Sequence, residues 1–201
     1  MDGHCKLNIT ATSLLPTNHG EFTVYSFRGN EVNNHGEPHL ALVTDLSGGL
    51  IPLVRIHSEC ITGDVFRSLR CDCGNQLDKS LELIANHGAG ALIYLRQEGR
   101  GIGIENKLKA YRLQERGLDT IEANEHLGLP ADNRNYSAAV SILNYLGISQ
   151  CKLMTGNPMK IAALENKGII VKEVIPLHQP NDHFFCKAYL ETKRVKMGHL
   201  A

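Results

Sequence analysis

Three cysteines lie close together in one segment of the chain, and they limit how that segment folds. Arg55 to Gln76 reads RIHSECITGDVFRSLRCDCGNQ and contains Cys60, Cys71 and Cys73. These thiols are near enough in sequence to converge on one metal ion. A structural thiolate site normally has a fourth cysteine or histidine, whereas a catalytic zinc keeps three protein ligands and an open position. The spacing, among many ionisable residues, favours a catalytic metal site.

Two other interpretations of these cysteines remain open at this point. Free cysteine is among the most buried residue types, so the three thiols can be ordinary core residues. A disulfide is the other possibility, although Cys71 and Cys73 are separated by one residue. That span is awkward for disulfide geometry, and such a pair in a strand points to opposite faces.

Length and charge narrow the class of protein. We expect one domain over residues 1–201, which at this size buries roughly 70% of its unfolded surface without disulfides. Lys plus Arg equals Asp plus Glu at 21 each, so the formal net charge is zero. This balance argues against a general nucleic-acid binder, which is usually basic. An anionic ligand must therefore be met by a local cluster of cations.

The cysteine content and the hydropathy pattern indicate a location. The chain has six cysteines, and its N-terminal MDGHCKLNITATSLL offers no continuous apolar stretch and no cleavage pattern. Cysteines without a secretion signal favour a reducing compartment. No apolar run approaches the roughly 20 residues that span a bilayer. We expect a cytoplasmic protein with no membrane partner.

The order of predicted elements indicates an α+β fold with mixed sheets and flanking helices. The first third is rich in strands, and from Leu77 helices alternate with short apolar runs and end at glycines. Predicted strands are Phe22–Phe27, His39–Thr44, Ile51–Ser58, Ala91–Leu95, Cys151–Thr155 and Ile169–Leu177. Predicted helices are Leu77–His87, Asn106–Arg116, Tyr136–Leu146, Met159–Lys167 and Ala188–Leu200.

A glycine-rich turn follows the strand Ala91–Leu95. Its sequence, RQEGRGIG, runs from Arg96 to Gly103 and contains three glycines and two arginines. Glycines let backbone N–H groups approach an anion, and arginines match phosphate oxygens in pairs. The alternative is a simple tight turn, since neither the P-loop nor the dinucleotide-binding fingerprint is present.

Two later segments carry polar residues near the start of a helix. LGLPADNRNY can present Asp132 and Arg134 to one pocket, or Asp132 or Asn133 can simply cap the next helix. In MTGNPMK, Thr155 and Lys160 can contact phosphate or base, or the segment is an ordinary strand-to-helix junction.

The sequence also leaves open the roles of two further side chains, Tyr111 and His57. Tyr111 is more often a half-buried tyrosine than a catalytic one. His57 can bind metal, contact substrate or do neither.

Taken together, these segments resemble GTP cyclohydrolase II, the enzyme that opens riboflavin biosynthesis from GTP. The matching pieces are RIHSEC with LRCDCGNQL, RQEGRGIG with NKLKAYRLQ, DTIEAN, LGLPADNR, TGNPMK and the closing KMGHL. They occur in family order from about Arg55 to Leu200. The cysteine spacing and the RQEGRGIG block are the specific parts, and the other motifs add support.

The resemblance implies ligands, roles and products. Cys60, Cys71 and Cys73 would hold one zinc ion per subunit, and magnesium would accompany the GTP phosphates. Asp132 would be the proton acceptor and Arg134 the nucleophile. Tyr111 would assist near the imidazole ring of GTP, which the reaction opens. The products would be formate, pyrophosphate and 2,5-diamino-6-ribosylamino-4(3H)-pyrimidinone 5′-phosphate, and the usual assembly is a homodimer. The implied GTP contacts are Arg55, Ile56, His57, Ser58, Glu59, Gln76, Glu98, Gly99, Arg100, Thr120, Thr155 and Lys160.

The chemistry of the side chain leads us to a different expectation for Arg134. A guanidinium stays protonated in proteins and is therefore a poor nucleophile. We expect Arg134 to act mainly as a clamp on the α-phosphate, and the covalent role stays open beside it.

Two residues depart from the family pattern. Gly156 stands where an asparagine is common, and Asn135 stands where an acidic residue is frequent. Both lie beside implied nucleotide contacts. Two alternatives to the full reaction therefore remain: a GTP-binding paralogue with a truncated reaction, and a non-catalytic nucleotide- and zinc-binding subunit.

Overall fold

The computed structural model describes residues 7–29 and 37–177, and a seven-stranded mixed sheet forms the centre of this part. The strands are β1 (Asn8–Thr17), β2 (Gly20–Arg28), β3 (His39–Val43), β4 (Leu53–Ser58), β5 (Gly90–Leu95), β6 (Gln150–Met154) and β7 (Ile170–Ile175). The helices are α1 (Ile61–Asp64), α2 (Cys73–His87), α3 (Ile104–Gln114), α4 (Thr120–His126), α5 (Ser137–Tyr145) and α6 (Pro158–Glu165). The predicted α+β class is confirmed.

The sheet is antiparallel in one half and parallel in the other. Its strand order is β1-β2-β3-β5-β4-β6-β7, with antiparallel pairing from β1 through β3 to β5. The pairs β5/β4, β4/β6 and β6/β7 are parallel. The carboxyl ends of β5, β4 and β6 therefore meet at one edge of the sheet. In open α/β sheets, ligands bind just beyond the carboxyl ends of the parallel strands.

Strand β4 shows how the fold presents polar side chains on one face of a buried strand. Successive side chains of a strand point to opposite faces. Val54 and Ile56 join the apolar cluster that contains Ile142 of α5. Arg55 and His57 therefore point to the other face, on which α2 packs. The fold thus places a guanidinium and an imidazole beside the segment that carries the cysteines.

Most predicted elements are confirmed within a few residues, but one helix starts earlier than predicted. The pattern of apolar residues indicated a start at Leu77, whereas α2 begins at Cys73. Apolar periodicity could not show this first turn, because its side chains face polar partners. Cys73 lies in the thiol cluster and Gln76 bonds to Arg55.

Strand β1 and helix α4 were not predicted. Within the described part of the chain, β1 is an edge strand that pairs only with β2, and most of its side chains are exposed, so it lacks an apolar alternation. Helix α4 is short, but the sequence did carry its start signal. Asp119 accepts hydrogen bonds from the N–H groups of Ile121 and Glu122, and the Glu122 carboxylate accepts one from Asp119. This reciprocal capping box is readable as D-x-x-E.

The predicted helix Ala188–Leu200 lies outside the described residues. Among the helices that are described, none combines the length and the apolar character required to cross a bilayer.

Candidate active site

The three cysteines of the first motif converge in space. The Sγ atoms of Cys60, Cys71 and Cys73 all lie within 4.8 Å of one another. Cys60 Sγ and Cys71 Sγ are 3.7 Å apart, and all three are free thiols, so the disulfide interpretation is wrong. A Cβ atom added at Gly63 would lie 2.8 Å from Cys71 Sγ. Glycine at this position keeps room for the thiols, and the set fits a metal ion that prefers sulfur.

Local structure brings these thiols together. Cys60 directly precedes α1, and the Cys60 carbonyl accepts hydrogen bonds from the N–H groups of Gly63 and Asp64. This short helical turn reverses the chain after β4. Cys73 is the first residue of α2, which packs on β4 and β5. One thiol is therefore fixed by a strand end and another by a helix start.

Contacts among the three thiols lower the pKa of one of them and raise the pKa of the other two. Hydrogen bonds from Cys71 and Cys73 hold the pKa of the Cys60 thiol far below its usual range, and the charge of Lys107 acts in the same direction. The hydrogen bond to Cys60 raises the pKa of Cys71 to about 12. Contact with both other thiols and burial raise the pKa of Cys73. A thiolate is the form of cysteine that binds metal, so the cluster already favours it at one position.

His57 lies beside this cluster but contacts a carboxylate. His57 Nε2 donates to Asp64 Oδ1 over 3.1 Å, and its ring stacks on Tyr94 at 5.5 Å between centroids. Burial lowers the pKa of His57, so the imidazole is neutral at neutral pH. Its Nδ1 is buried and has no hydrogen-bond partner within residues 7–29 and 37–177. His57 does not belong to the thiol cluster. It contacts Asp64 instead, a partner that the sequence did not indicate.

Lys107 of α3 is a second neighbour that the sequence patterns did not single out. Its Nζ donates to Cys60 Sγ over 3.1 Å and to Glu98 Oε1 over 2.7 Å. Burial opposes the charge, but the charges of Cys60, Tyr111 and Glu98 together raise the pKa of Lys107. Lys107 belongs to the NKLKAYRLQ segment and lies four residues after Gly103, but nothing in that segment marks it as a site residue.

Tyr111 is one helical turn beyond Lys107 and borders the cluster. Its hydroxyl lies 3.5 Å from Thr62 Oγ1, and Thr62 Oγ1 lies 3.6 Å from Cys60 Sγ. Arg70 covers the ring at 4.6 Å from the centroid. Burial raises the pKa of Tyr111 to about 12, so it is a hydrogen-bond donor at neutral pH.

The glycine-rich turn has an unusual backbone conformation. Gly99, Arg100 and Gly101 all have positive φ, at 61°, 60° and 87°. A Cβ atom at Gly101 would lie 2.7 Å from the Asn133 carbonyl oxygen, so glycine is also required by close approach. Asn133 N–H donates to the Arg100 carbonyl over 2.9 Å. The turn is thereby joined to the segment that carries Asp132 and Arg134.

Four N–H groups of this turn donate hydrogen bonds within the turn. Those of Gly101, Ile102 and Gly103 donate to backbone carbonyls of the turn, and that of Gly99 donates to Glu98 Oε1. The backbone cradle for an anion and the simple tight turn therefore both stay predictions.

Asp132 and Arg134 form an ion pair. Arg134 Nε donates to Asp132 Oδ1 over 2.9 Å and Nη2 donates to Oδ2 over 2.5 Å. Burial acts to raise the pKa of Asp132, but the hydrogen bonds and charge of Arg134 outweigh it and the pKa is lowered. The capping interpretation of Asp132 is wrong. Helix α5 starts at Ser137, and the N–H of Ser137 donates to Asn135 Oδ1 over 2.7 Å. The side chain that bonds to the start of this helix is therefore Asn135 and not Asp132.

Arg55 connects three elements beneath the site. Its Nη1 donates to the Met154 carbonyl over 2.9 Å, and its Nη2 donates to Gln76 Oε1 over 2.6 Å. Burial lowers the pKa of Arg55 to about 10. Its Nε is buried and has no hydrogen-bond partner in the part of the chain that the structure describes.

Thr155 directly follows β6, and Lys160 lies in the first turn of α6. Lys160 Nζ donates to the Ile56 carbonyl over 2.7 Å, and its ammonium lies 5.7 Å from the centre of the Tyr136 ring. Thr155 Oγ1 accepts a hydrogen bond from the N–H of Asn157 over 3.0 Å. Both predicted residues therefore lie near the carboxyl ends of β4 and β6.

Ser58 and Glu59 are held by partners from the loop after β5. Gln97 Nε2 donates to Ser58 Oγ over 2.8 Å, and Gln97 Oε1 accepts from the N–H of Asn135 over 3.2 Å. Arg96 Nη1 donates to Glu59 Oε1 over 2.8 Å. Gln97 was not predicted as a site residue, although it lies within the glycine-rich block.

Thr120 is the one predicted contact whose side chain the structure does not describe; its backbone begins α4. The other predicted site residues lie on the segments that meet at the carboxyl ends of β4, β5 and β6. They are Arg55, Ile56, His57, Ser58, Glu59, Cys60, Cys71, Cys73, Gln76, Glu98, Gly99, Arg100, Tyr111, Asp132, Arg134, Thr155 and Lys160.

One protein family and several curated proteins are similar to this chain over most of its length. The family model described as GTP cyclohydrolase II matches residues 8–176. GTP cyclohydrolase-2 of Neisseria meningitidis serogroup A is 50% identical over 195 residues, which cover 96% of each chain. GTP cyclohydrolase-2 of Shewanella amazonensis is 49% identical and covers 96% of this chain and 93% of its own.

A longer relative and one solved structure also match. Riboflavin biosynthesis protein RibBA of Bacillus velezensis is 55% identical over 92% of this chain, which spans 46% of the length of RibBA. The crystal structure of RibBX, a two domain 3,4-dihydroxy-2-butanone 4-phosphate synthase from A. baumannii, has a TM-score of 0.50 and 17% identity, covering 89% of this chain and 42% of that one. At this identity the likeness shows the fold alone.

Proposed function

This chain belongs to the GTP cyclohydrolase II family, and we propose that it hydrolyses GTP to formate, pyrophosphate and 2,5-diamino-6-ribosylamino-4(3H)-pyrimidinone 5′-phosphate. This is the first step of riboflavin biosynthesis. One observation carries the proposal. The thiol cluster, the glycine-rich turn and the Asp132/Arg134 pair lie on segments that meet at one edge of the sheet.

Zinc is the metal that we propose for the cluster of Cys60, Cys71 and Cys73. Three sulfur donors leave one position of a tetrahedral ion open, as in catalytic zinc sites. When bound, zinc would supply Lewis acidity that lowers the pKa of a coordinated water below that of bulk water. The reaction needs this because water must add at the ring carbon between two nitrogens.

Tyr111 and Asp132 are the residues that we propose for proton handling. Tyr111 keeps its proton at neutral pH because its pKa is raised, so it acts as a hydrogen-bond donor near the ring. Asp132 is ionised because its pairing with Arg134 lowers its pKa, so it carries the charge of a proton acceptor, and the same pairing weakens it as a base. The pair thus offers one donor and one acceptor in the same pH range.

Two unpartnered buried atoms support a substrate contact at β4. Arg55 Nε and His57 Nδ1 have no hydrogen-bond partner within the described ranges. Buried polar atoms are rarely left without a partner, so a ligand that supplies one is the expected reason. The proposed contacts are Arg55, Ile56, His57, Ser58, Glu59, Gln76, Glu98, Gly99, Arg100, Thr120, Thr155 and Lys160.

The proposed contact at Glu98 uses its backbone. Glu98 Oε2 accepts from the N–H of Ile61 over 2.6 Å, and Oε1 accepts from Gly99 and Lys107. The Glu98 carboxylate would also repel a phosphate group, because both are negatively charged, so the side chain is not the part of Glu98 that we propose to contact GTP. Arg100 and Lys160, with magnesium on the GTP phosphates, would instead stabilise the charge of the leaving pyrophosphate.

Arg134 is proposed as a clamp on the α-phosphate. Its guanidinium donates through two nitrogens to Asp132, and this pairing favours the protonated form. A protonated guanidinium binds phosphate oxygens well and attacks phosphorus poorly. A covalent role for Arg134 is the outcome that the clamp proposal has to exclude.

The setting of the reaction is also part of the proposal. We assign residues 1–201 to one GTP cyclohydrolase II-like domain that works as a homodimer in the cytoplasm. Support for the compartment comes from the four described cysteines, which are all free, and from the biosynthetic names of the relatives. Sedimentation of the purified protein across a concentration series tests the dimer.

Product analysis tests the reaction. Purified zinc-loaded protein is incubated with GTP and magnesium, and formate, pyrophosphate and the pyrimidinone are measured by mass and phosphate analysis. All three products are expected, with Gly156 and Asn135 as tolerated variation. A retained formyl group or retained phosphates would indicate the truncated reaction. Unchanged GTP with folded, zinc-bound protein would contradict the enzyme and favour the binding subunit.

A further inference from the structure

A metal site with three thiolate ligands carries excess negative charge. Three thiolates and one divalent ion sum to a net charge of −1, and the excess charge weakens the Lewis acidity that the ion can supply. Enzymes offset such charge with partners that hydrogen-bond to the ligands. The site described above therefore needs a cation in contact with a thiolate.

Lys107 meets this requirement by geometry. Its Nζ lies 3.1 Å from Cys60 Sγ, although the two residues are 47 positions apart in sequence. Only 11% of the lysine side chain is exposed. A hydrogen bond from a charged donor in such a poorly hydrated position is stronger than one on the surface.

The surrounding residues hold the lysine in place. Glu98 Oε1 accepts from Lys107 Nζ, and Glu98 Oε2 accepts from the N–H of Ile61, the residue after Cys60. The carboxylate thus joins the ammonium to the backbone of the metal-binding segment. A Cβ atom at Gly99 would lie 3.2 Å from Lys107 Cβ. Glycine at this position leaves room for the lysine stem.

We propose that Lys107 is a positioning residue of the metal centre, whose ammonium hydrogen-bonds to the Cys60 thiolate and offsets the excess negative charge of the site. Glu98 fixes this ammonium and connects it to the glycine-rich turn. The inference rests on the metal site of the proposed function and adds a residue to it. The role differs from that of a simple ion pair with Glu98, which would stabilise the fold without changing the thiolate.

Cobalt(II) is the probe that separates these roles. The full chain without metal is titrated with Co²⁺, and the sulfur-to-cobalt charge-transfer absorption is recorded. In Lys107→Met, which keeps the stem but loses the donor, we expect this absorption at longer wavelength, because a thiolate without a hydrogen bond gives up electron density more easily. Lys107→Arg keeps a charged donor and is expected to restore the wild-type position. Lys109→Met changes an exposed lysine on the same helix and is the matched control.

A second readout is the reactivity of Cys60. The cobalt-loaded proteins are treated with iodoacetamide, and alkylation of Cys60 is followed by peptide mass analysis. Loss of the hydrogen bond is expected to speed alkylation roughly tenfold in Lys107→Met, since a hydrogen bond to a charged group has about that effect on an equilibrium or rate. Lys109→Met is expected to react like the wild type.

The outcomes are distinct. An unchanged absorption and alkylation rate in Lys107→Met, with lower resistance to urea, would overturn the inference and leave only the ion pair with Glu98. Absence of a charge-transfer band in the wild type would contradict the metal site, and with it the proposed function. If Lys107→Met does not fold, Lys107→Gln is measured instead; its uncharged amide is expected to give a smaller shift in the same direction, and an absorption and alkylation rate equal to wild type would overturn the role of the charge.

Discussion

The carboxylate of Asp64 accepts a hydrogen bond from the backbone N–H of Cys60 over 3.0 Å. The same carboxylate accepts from Tyr94 over 2.8 Å and from His57 over 3.1 Å. Only 3% of the Asp64 side chain is exposed. Donors from β4, from β5 and from the turn after β4 thus converge on one carboxylate, which fixes the backbone at a proposed metal-ligand position.

Replacing Asp64 by asparagine tests this arrangement. Asparagine has one acceptor oxygen for three donors, and its amide N–H₂ would face another donor. We expect about 10- to 100-fold weaker zinc binding, the usual cost of losing a partner of a metal ligand. Competition with a chelator measures the affinity. Asp78→Asn alters an exposed carboxylate and serves as control. An Asp64→Asn affinity within twofold of wild type would contradict the prediction.

Gly63→Ala is expected to disrupt the thiol cluster by close contact. The added Cβ would lie 2.8 Å from Cys71 Sγ and 2.9 Å from Cys73 Cβ, so the thiols must move apart. Overpacking of this kind typically costs about 1–3 kcal/mol, and we expect zinc affinity to fall at least roughly tenfold. Gly48→Ala is the matched control, because a Cβ there meets nothing within 4 Å. Equal affinities of the two variants would refute the steric argument.

Arg134→Lys separates a phosphate clamp from a covalent nucleophile. A lysine can form a phosphoramidate but cannot donate through two nitrogens to one carboxylate or phosphate. We expect Arg134→Lys to lose turnover nearly as completely as Arg134→Ala, with no phosphorylated lysine in rapidly quenched reactions. Arg116→Lys, at an exposed position, is expected to keep full turnover. A modified lysine with substantial remaining activity would favour the covalent role.

Arg55→Lys is expected to lower the free energy of unfolding. The guanidinium satisfies both the Met154 carbonyl and Gln76 Oε1, and one ammonium cannot reach both in the same geometry. Leaving a buried acceptor without a donor costs about 1–3 kcal/mol. Urea unfolding of the metal-loaded protein measures the change. The exposed Arg112→Lys is expected to stay within about 0.5 kcal/mol of wild type. A loss for Arg55→Lys of that same size would contradict the prediction.

The Asp132/Arg134 ion pair predicts a pH-dependent contribution to stability. The pKa of Asp132 is lower in the folded state than its usual 3.8, so the folded protein favours the ionised carboxylate. This contribution is present above the unfolded pKa and is lost as pH falls through the folded pKa. The stability difference between wild type and Asp132→Asn should therefore be largest at pH 5–7 and shrink below about pH 4. Urea unfolding at several pH values measures it, and a difference that grows on acidification would refute the prediction.

Local patterns predicted most of the fold but few of the site contacts. Helix ends at Gly88 and Gly147 and the apolar run Ala91–Leu95 were readable because propensity and periodicity act within a few residues. The first turn of α2 was not, because its side chains serve the thiol cluster and Arg55 rather than the core. Where a segment serves a site, its pattern no longer reports its secondary structure.

The sequence by itself determined the three thiols, the glycine-rich turn and the segments that mark the family. Only the tertiary structure decided which distant side chains meet them. Lys107 reaches Cys60 across 47 positions, and Lys160 reaches the Ile56 carbonyl across 104. These contacts depend on β4 lying between β5 and β6 in the sheet. Strand order comes from the packing of the whole chain, and no local pattern of residues carries it.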